Sequence, residues 1–137
     1  MYLDASAIVP IFLKDPHVAA MERWLLQRHR LVLSDFAGAE FVGVVARFHR
    51  MKALGERDAL AVLSRFDAWR SQAVTVRLTS PRDIAACDRL VRQFKLKLTV
   101  ADALHLAIAM ADEIPLVTFD RSLAAAASQA GHSAVVP

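Results

Sequence analysis

Four acidic residues are the side chains best placed to carry chemistry, because each follows a short apolar run or lies early in a helical pattern. They are Asp4, Glu40, Asp102 and Asp120. If the fold gathers them, four carboxylates repel one another unless a divalent cation neutralises them. Oxygen ligands suit Mg²⁺ or Mn²⁺ better than zinc, and the sequence has no His and Cys set with zinc spacing. We therefore predict a Mg²⁺ or Mn²⁺ site built from these four acids.

A cation held by carboxylates has a definite chemical use. It lowers the pKa of a bound water, which becomes a nucleophile, and it stabilises the charge that develops on a phosphate. Asp4, Asp102 and Asp120 are expected to be direct or water-mediated ligands. Glu40 is expected to be a further ligand or the base that orients the attacking water. The four acids therefore indicate metal-assisted hydrolysis of a phosphodiester.

Three more polar residues adjoin these acids. Ser6 and Thr118 are small hydroxyls close to Asp4 and Asp120, and Arg121 follows Asp120 directly. We expect them to support the metal ligands or to contact the substrate. Ser6 is also a candidate helix cap, which is the structural alternative for this residue.

Each acid has a structural explanation too. Asp4 and Asp120 follow strands and open helices, where Asp is a favoured N-cap. Asp102 lies at the third position of its helix, where the acid of a capping box is found. Glu40 would be a solvated helix residue that pairs with Arg47, two turns further on. The catalytic interpretation therefore depends on whether the fold brings these residues to one place.

The elements that position the acids are apolar runs alternating with amphipathic runs. Apolar runs typical of strands precede Asp4 and cover residues 30–34, 73–78, 114–119 and 132–136. Runs with helical spacing cover residues 6–13, 17–29, 34–51, 56–72, 80–95, 99–112 and 120–130. This alternation implies right-handed crossovers and a parallel sheet covered on both faces. Since ligands bind at the carboxyl edge of such an α/β sheet, we expect all four acids at that edge.

Three details of the pattern carry their own expectations. Pro10 is expected in or just beyond the first turn of its helix, where a missing N–H costs least. Leu60 is expected to face inward from the helix over residues 56–72. His105 follows Asp102 by one turn, and its apolar neighbours favour a buried structural histidine over a metal ligand.

The composition is that of one globular domain over residues 1–137. Of these residues 55% are hydrophobic and 23% are charged, which is sufficient for one core. Cys87 has no second cysteine to pair with, which fits a reducing cytoplasm. No apolar stretch approaches the roughly 18 residues that span a membrane, and an acid at position 4 is unlike a signal peptide. We expect a soluble, cytoplasmic protein.

Basic residues outnumber acidic ones by 17 to 14, a net charge of +3. With the four acids set aside in one site, 17 basic residues face 10 acidic ones elsewhere, a net charge of +7. A basic surface around an acidic pocket suits a polyanion held near metal cations, although moderate positive charge also serves solubility alone. The candidates for guiding a nucleic-acid backbone are Arg47, Arg50, Lys95, Lys97 and Arg121.

Three motifs carry a resemblance to a known family. They are Y-L-D-A-S-A near the start, L-T-V-A-D-A-L-H-L-A-I-A around Asp102 and L-V-T-F-D-R around Asp120. In this order, and over essentially the whole chain, the sequence resembles the PIN-domain ribonucleases, in particular the VapC toxins of bacterial toxin–antitoxin pairs. The resemblance implies a three-layer α/β/α sandwich with a mainly parallel central sheet. It also places Asp4, Glu40, Asp102 and Asp120 at the family's acidic positions.

The resemblance implies a function and partners as well. It predicts a Mg²⁺- or Mn²⁺-dependent endoribonuclease, a homodimer, and a cognate antitoxin that inhibits the toxin by binding it. We expect the RNA substrate to offer a structured loop or a single-stranded segment. The antitoxin is expected to lay apolar side chains against the early helices around Trp24 and Phe48. One residue departs from the family, because many members have Asn before the last acid, where this chain has Phe119.

Other functions also place acids at strand ends. An aspartyl-nucleophile phosphatase usually has a second Asp two residues after the first, but Ser6 occupies that position. A metal-binding signalling receiver would have paired acids after the first strand and a lysine at the end of the last one, and the sequence has neither. Two alternatives stay open: a catalytically inactive PIN-fold module that binds RNA or protein, and a PIN nuclease that processes RNA.

Overall fold

One or two α-helices separate successive strands in this computed structural model, which describes residues 1–27 and 30–137. The strands are β1 (Tyr2–Leu3), β2 (Leu31–Ser34), β3 (Val74–Arg77), β4 (Leu116–Val117) and β5 (Ala134–Val135). The α-helices are α1 (Ala5–Phe12), α2 (Val18–Leu25), α3 (Asp35–Arg50), α4 (Glu56–Ala73), α5 (Pro81–Val91), α6 (Val100–Ala111) and α7 (Arg121–Gln129). One 3₁₀ turn, Phe94–Leu96, lies between α5 and α6.

The five strands form one sheet in the order β3-β2-β1-β4-β5, and every neighbouring pair is parallel. The first strand is therefore the central one. Tyr2 pairs with Val32 on one side and with Leu116 on the other. Because parallel strands end at the same edge, the residues that follow β1 and β4 become neighbours.

Helices cover both faces of this sheet. Tyr2 and Leu3 are both fully buried and point to opposite faces, as successive strand residues do. Tyr2 packs in a core with residues of α5, α6 and α7, whereas Leu3 packs in a second core with residues of α1 to α4. This arrangement is the three-layer α/β/α sandwich with a parallel central sheet that the sequence predicts.

The helix starts follow from local sequence. Ser34 caps α3, because its Oγ accepts a hydrogen bond from the backbone N–H of Ala37 at 2.9 Å. Ser80 and Asp83 form a complete capping box on α5, with Pro81 at the first helical position. These residues satisfy N–H groups that a helix leaves unpaired at its N-terminus.

Among the described helices, α6 has the most buried residues. Seven consecutive residues, from Ala103 to Ala109, are buried. Its alanines allow close approach of α5, and the Cys87 thiol of α5 donates to the carbonyl oxygen of Val100 at 3.3 Å. Cys87 is thus a buried core residue, and burial raises the pKa of its thiol.

Of two local expectations, one is confirmed and one was wrong. Pro10 lies just beyond the first turn of α1, as expected, and its ring removes one backbone hydrogen bond from a helix that ends at Phe12. Leu60 is 61% exposed, because α4 turns Ala59 and Phe66 inward and a helix rotates about 100° per residue.

Several element ends also differ from the predicted ranges. The helix expected over residues 80–95 ends at Val91, and a separate 3₁₀ turn then buries Leu96. The helix expected over residues 17–29 covers Val18–Leu25, and the last two residues of the prediction, 28 and 29, lie outside the described residues. Within the described ranges, every helix is too short or too polar to cross a membrane.

Candidate active site

Asp4 stands at the carboxyl end of β1 and is only 4% exposed. Its Oδ1 accepts hydrogen bonds from the backbone N–H of Ala7 at 2.9 Å and from the Ser6 hydroxyl at 2.7 Å. Its Oδ2 accepts from the Thr118 hydroxyl at 2.6 Å. Burial raises the pKa of Asp4, although these hydrogen bonds oppose the shift. Asp4 therefore does cap α1, and it is also a desolvated carboxylate whose donors are all neutral.

The same two hydroxyls join β1 to the end of β4. Thr118 Oγ1 accepts from the backbone N–H of Asp120 at 2.9 Å while it donates to Asp4. Ser6 Oγ accepts from the backbone N–H of Phe119 at 2.8 Å. The structure thus brings Asp4 and Asp120 together through hydroxyls separated by more than a hundred residues in sequence.

Asp120 is exposed at the start of α7, at the mouth of this network. Its Oδ1 accepts from the backbone N–H groups of Ser122 at 2.7 Å and Leu123 at 3.0 Å, so it is the N-cap of α7. Arg121 is exposed at the first position of the helix. A carboxylate that caps a helix and still faces solvent is accessible to a cation or a substrate.

Glu40 belongs to a second network, which crosses the sheet to α6. Its Oε2 lies 2.5 Å from Nε2 of His105, and Nδ1 of His105 lies 2.8 Å from the Tyr2 hydroxyl. That hydroxyl is in turn 2.8 Å from Ser34 Oγ. Burial raises the pKa of Tyr2, so the phenol keeps its proton.

One assignment of protons satisfies this second network. The Ser34 hydroxyl donates to Tyr2, Tyr2 donates to Nδ1 of His105, and Nε2–H of His105 donates to Glu40. In this arrangement Nε2 of His105 carries a proton and donates it to Glu40. The bond fixes the position of the Glu40 carboxylate.

His105 and Tyr2 are site neighbours that sequence reasoning missed. His105 is buried and fully bonded, as expected, but its partner is a candidate catalytic acid. The spacing held a signal, because Asp102 and His105 are three residues apart and share a face of α6. The structural alternative in which Glu40 is a solvated residue paired with Arg47 was wrong, since the Glu40 carboxylate is half-buried and hydrogen-bonded to His105.

Asp102 lies in the first turn of α6 and is half-buried. The Thr99 hydroxyl donates to its Oδ2 at 2.7 Å, and its backbone N–H donates to Thr99 Oγ1 at 3.2 Å. The structure does not join Asp102 to Asp4 or Asp120 by a hydrogen bond among the described residues. Across residues 1–27 and 30–137, no three His, Cys, Asp or Glu side chains lie close enough to hold a metal ion together.

The donor chemistry of the site nevertheless fits Mg²⁺. This ion keeps several waters and is usually bound by one or two carboxylates together with substrate phosphates, so it needs no closed protein cage. Asp4 and Asp120 provide two carboxylates at one edge of the sheet, surrounded by hydroxyl oxygens. A cation beside Asp4 would also offset the burial that raises its pKa.

The basic candidates lie on several elements. Arg47 lines a cleft that also contains Ser6 and Asp120. The other four are exposed at helix ends or in the turn before α6: Arg50, Lys95, Lys97 and Arg121.

The early helices are less accessible than expected. Trp24 is 6% exposed and packs in the core between α2 and the sheet, so it is not available as a docking surface. Phe48 is half-buried and lines the same cleft as Arg47. Trp24 lies on the face of α2 that the fold itself covers.

A parallel sheet with a buried Asp after its first strand and a second Asp after its fourth is the arrangement of a PIN domain, and the sequence matches that family over residues 1–129. The chain belongs to the PIN-domain family. This confirms the resemblance found in the motifs.

Known relatives agree with this assignment. The chain is 30% identical to Ribonuclease VapC46 of Mycobacterium tuberculosis in an alignment of 146 residues that covers 100% of this chain and 97% of that one. Its fold is similar to that of VapC20 from the same organism, described as a sarcin–ricin loop cleaving toxin, with a TM-score of 0.73, 22% identity and coverage of 99% and 98%. VapBC2 of Rickettsia felis, bound to a promoter DNA fragment, gives a TM-score of 0.64, 17% identity and coverage of 87% and 86%.

Proposed function

We propose that this chain is a metal-dependent endoribonuclease and the toxin of a toxin–antitoxin pair. The observation that carries the proposal is the buried Asp4 carboxylate, held by the hydroxyls of Ser6 and Thr118 beside Asp120 in a PIN-family chain. The 30% sequence identity to Ribonuclease VapC46, over 100% of this chain, supports RNA as the substrate. A single domain, residues 1–137, is proposed to carry the activity.

Mg²⁺ or Mn²⁺ is the proposed cofactor. Asp4 and Asp120 are the proposed direct ligands, and Asp102, on the face of α6 that also carries His105, is proposed to reach the ion through water. When bound, the ion supplies an activated water and stabilises charge on the phosphate. The support for this cofactor is the all-oxygen donor set.

The remaining side chains hold the acids in place. The Ser6 and Thr118 hydroxyls direct their protons at Asp4, which fixes the plane of its carboxylate. The bond from His105 fixes Glu40, which acts as a further ligand or as the base that orients the attacking water. Arg121 and the other exposed basic residues are proposed to contact the RNA backbone.

The proposed partners are a cognate antitoxin and a second copy of this chain. The solved VapBC2 complex supports an antitoxin partner. A shallow apolar depression of about 600 Å³, lined by Phe36, Ile84 and Leu104, supports a homodimer on the α5–α6 side. The Ile84→Lys variant is expected to turn a dimer into a monomer in light scattering, and a wild-type monomer would contradict the dimer.

The free Cys87 thiol supports action in the cytoplasm.

The decisive experiment is cleavage of total bacterial RNA by the purified protein with Mg²⁺ or Mn²⁺. The controls are EDTA and an Asp4→Asn variant whose folding is checked by circular dichroism. Discrete metal-dependent cuts that the folded variant does not make would establish the nuclease.

Equal cutting by the variant would point to a contaminating nuclease. Absence of cutting by the wild-type protein, with RNA binding retained, would replace the enzyme by the inactive RNA-binding module. Cuts confined to precursor ends of stable RNAs would favour an RNA-processing role over a toxin.

A further inference from the structure

An open cleft of about 450 Å³ adjoins the candidate active site around Asp4 and Asp120, which we call the acid site. Two of its lining residues, Ser6 and Asp120, belong to the acid site, and the cleft extends between α1, the segment before α2, and α3. We call it the α1–α3 cleft. Its volume lies in the range of about 300–1,000 Å³ that is usual for small-ligand sites, so it has room for one nucleotide.

Two aromatic rings form one wall of the α1–α3 cleft. The rings of His17 and Phe119 are stacked, with centroids 4.3 Å apart and planes at 29°. Phe119 directly precedes Asp120 in the chain. Its backbone N–H donates to Ser6 Oγ, so the acid site itself fixes the position of Phe119.

The partner ring is fixed as well. Asp15 Oδ1 accepts a hydrogen bond from the backbone N–H of His17 at 2.8 Å and lies 2.8 Å from Nδ1 of its ring. A ring pair that is already held in place loses little conformational entropy when a further flat group stacks on it. The pair is therefore suited to bind an unpaired nucleobase, which single-stranded RNA exposes.

The opposite wall carries the charge that a nucleotide needs. Arg47 of α3 is exposed and lines the cleft next to Phe48. A guanidinium binds phosphate oxygens through paired N–H donors, and an apolar neighbour favours the base or ribose. A stacking wall, a guanidinium and a catalytic acid thus surround one space.

We propose that the α1–α3 cleft binds the nucleotide next to the scissile phosphate, with its base stacked on the His17–Phe119 pair and its phosphate against Arg47. This inference rests on the proposed function for the identity of the substrate. It assigns to Phe119 a role in binding single-stranded RNA, because a base that remains paired and stacked in a duplex cannot enter the cleft.

The test is fluorescence anisotropy in EDTA at low ionic strength, where RNA is bound without being cut. The probes are a labelled oligoadenylate of about ten nucleotides, within the site sizes known for single-strand binding folds, and an abasic ribose-phosphate chain of equal length. Phe119→Leu is expected to weaken oligoadenylate binding about ten-fold and to leave abasic binding unchanged, because stacking contributes that much per base. Phe119→Tyr is expected to restore the wild-type affinity.

The matched control is Phe94→Leu, which makes the same substitution at a phenylalanine that is 84% exposed and lies outside the cleft. It is expected to leave both affinities unchanged. Wild-type protein that binds the two probes equally well would overturn the proposal. An equal loss for both probes in Phe119→Leu would also overturn it, because that result indicates general damage rather than lost stacking.

A separate cleavage assay with Mn²⁺ distinguishes failure of the subsite from failure of the nuclease. If the wild-type protein cuts RNA and Phe119→Leu keeps full affinity and KM, the subsite is wrong and the nuclease stands. If base-dependent binding requires Phe119 but no metal-dependent cutting occurs, the subsite stands and the nuclease is wrong.

Discussion

Asp4 and Asp83 are both buried carboxylates at the start of a helix, yet their surroundings are opposite in charge. Asp83 is 1% exposed and is bound by the Arg77 guanidinium, which holds its pKa at about 2. Asp4 is 4% exposed and accepts hydrogen bonds from two hydroxyls and one amide, and burial raises its pKa. A carboxylate that already has its cation stabilises the fold, whereas one that burial disfavours is suited to receive a cation from outside.

RNA cleavage activity should show the largest difference between Asp4 and Asp83. Asp4→Asn is expected to lower RNA cleavage roughly 1,000-fold, or about 4 kcal/mol, because it removes a charge from the candidate metal site. Asp83→Asn is the matched control and should keep wild-type activity per folded molecule. Initial rates with Mn²⁺, normalised to the folded fraction from circular dichroism, measure both. A large loss in the control variant would erase the distinction between the two carboxylates.

For stability we expect the opposite result, with the larger loss in the Asp83 variant. Asp83→Asn is expected to lower the free energy of unfolding by about 3 kcal/mol, because it leaves Arg77 without its buried partner. Asp4→Asn should change it by less than about 1 kcal/mol, since Asn caps a helix as well as Asp does. Urea denaturation at neutral pH in EDTA gives both values. Similar losses in the two variants would mean that Asp4 is also a structural residue.

Stabilisation by a divalent cation should also distinguish Asp4 from Asp83. At Mn²⁺ concentrations about 100-fold above the dissociation constant, the wild-type protein is expected to gain about 2.7 kcal/mol of unfolding free energy. Asp83→Asn should gain as much, and Asp4→Asn should gain almost nothing. Thermal unfolding with and without Mn²⁺ measures the gain. A full gain in Asp4→Asn would place the cation elsewhere in the protein.

The smallest expected effect is in the pH dependence of stability without metal. Folding lowers the pKa of Asp83. Its contribution to the free energy of unfolding is therefore present above the unfolded pKa near 4 and is lost as pH falls towards 2. Folding raises the pKa of Asp4, so its contribution to the free energy of unfolding is complete below pH 4 and declines as pH rises.

Each variant therefore has its own signature against pH. In EDTA, Asp4→Asn should become more stable relative to the wild type as pH rises from 4 to 7. Asp83→Asn should lose its disadvantage progressively as pH falls from 4 towards 2. Urea midpoints across this range provide the test, and parallel curves for the wild type and Asp4→Asn would show that Asp4 is not desolvated.

The positions of Asp4 and Asp120 could be predicted because they depend on local sequence. Each follows an apolar run directly, and a parallel sheet brings the ends of its strands to one edge. Ser6 and Thr118 could be predicted for the same reason, as neighbours of those two ends. The three-layer fold followed from the alternation of the elements and from the family motifs.

The contact between Glu40 and His105 could not be predicted in this way. It joins residues 65 apart, and it depends on how closely α3 and α6 approach across the sheet. Helical spacing suggested Arg47 as the partner of Glu40. The Glu40 carboxylate instead bonds to His105, which is buried, so water does not compete for its ring nitrogen. The face of Trp24 was equally ambiguous, because an apolar stripe does not show whether a helix or a partner protein covers it.

The central place of β1 has a consequence for the synthesis of this protein. During translation β1 can pair with Val32 of β2 long before Leu116 of β4 exists, so its second neighbour arrives late. Asp120 is made after β4. A nascent chain that has not passed β4 therefore lacks both the full sheet and the Asp120 carboxylate of the proposed metal site, so the proposed RNA cleavage has to wait for both.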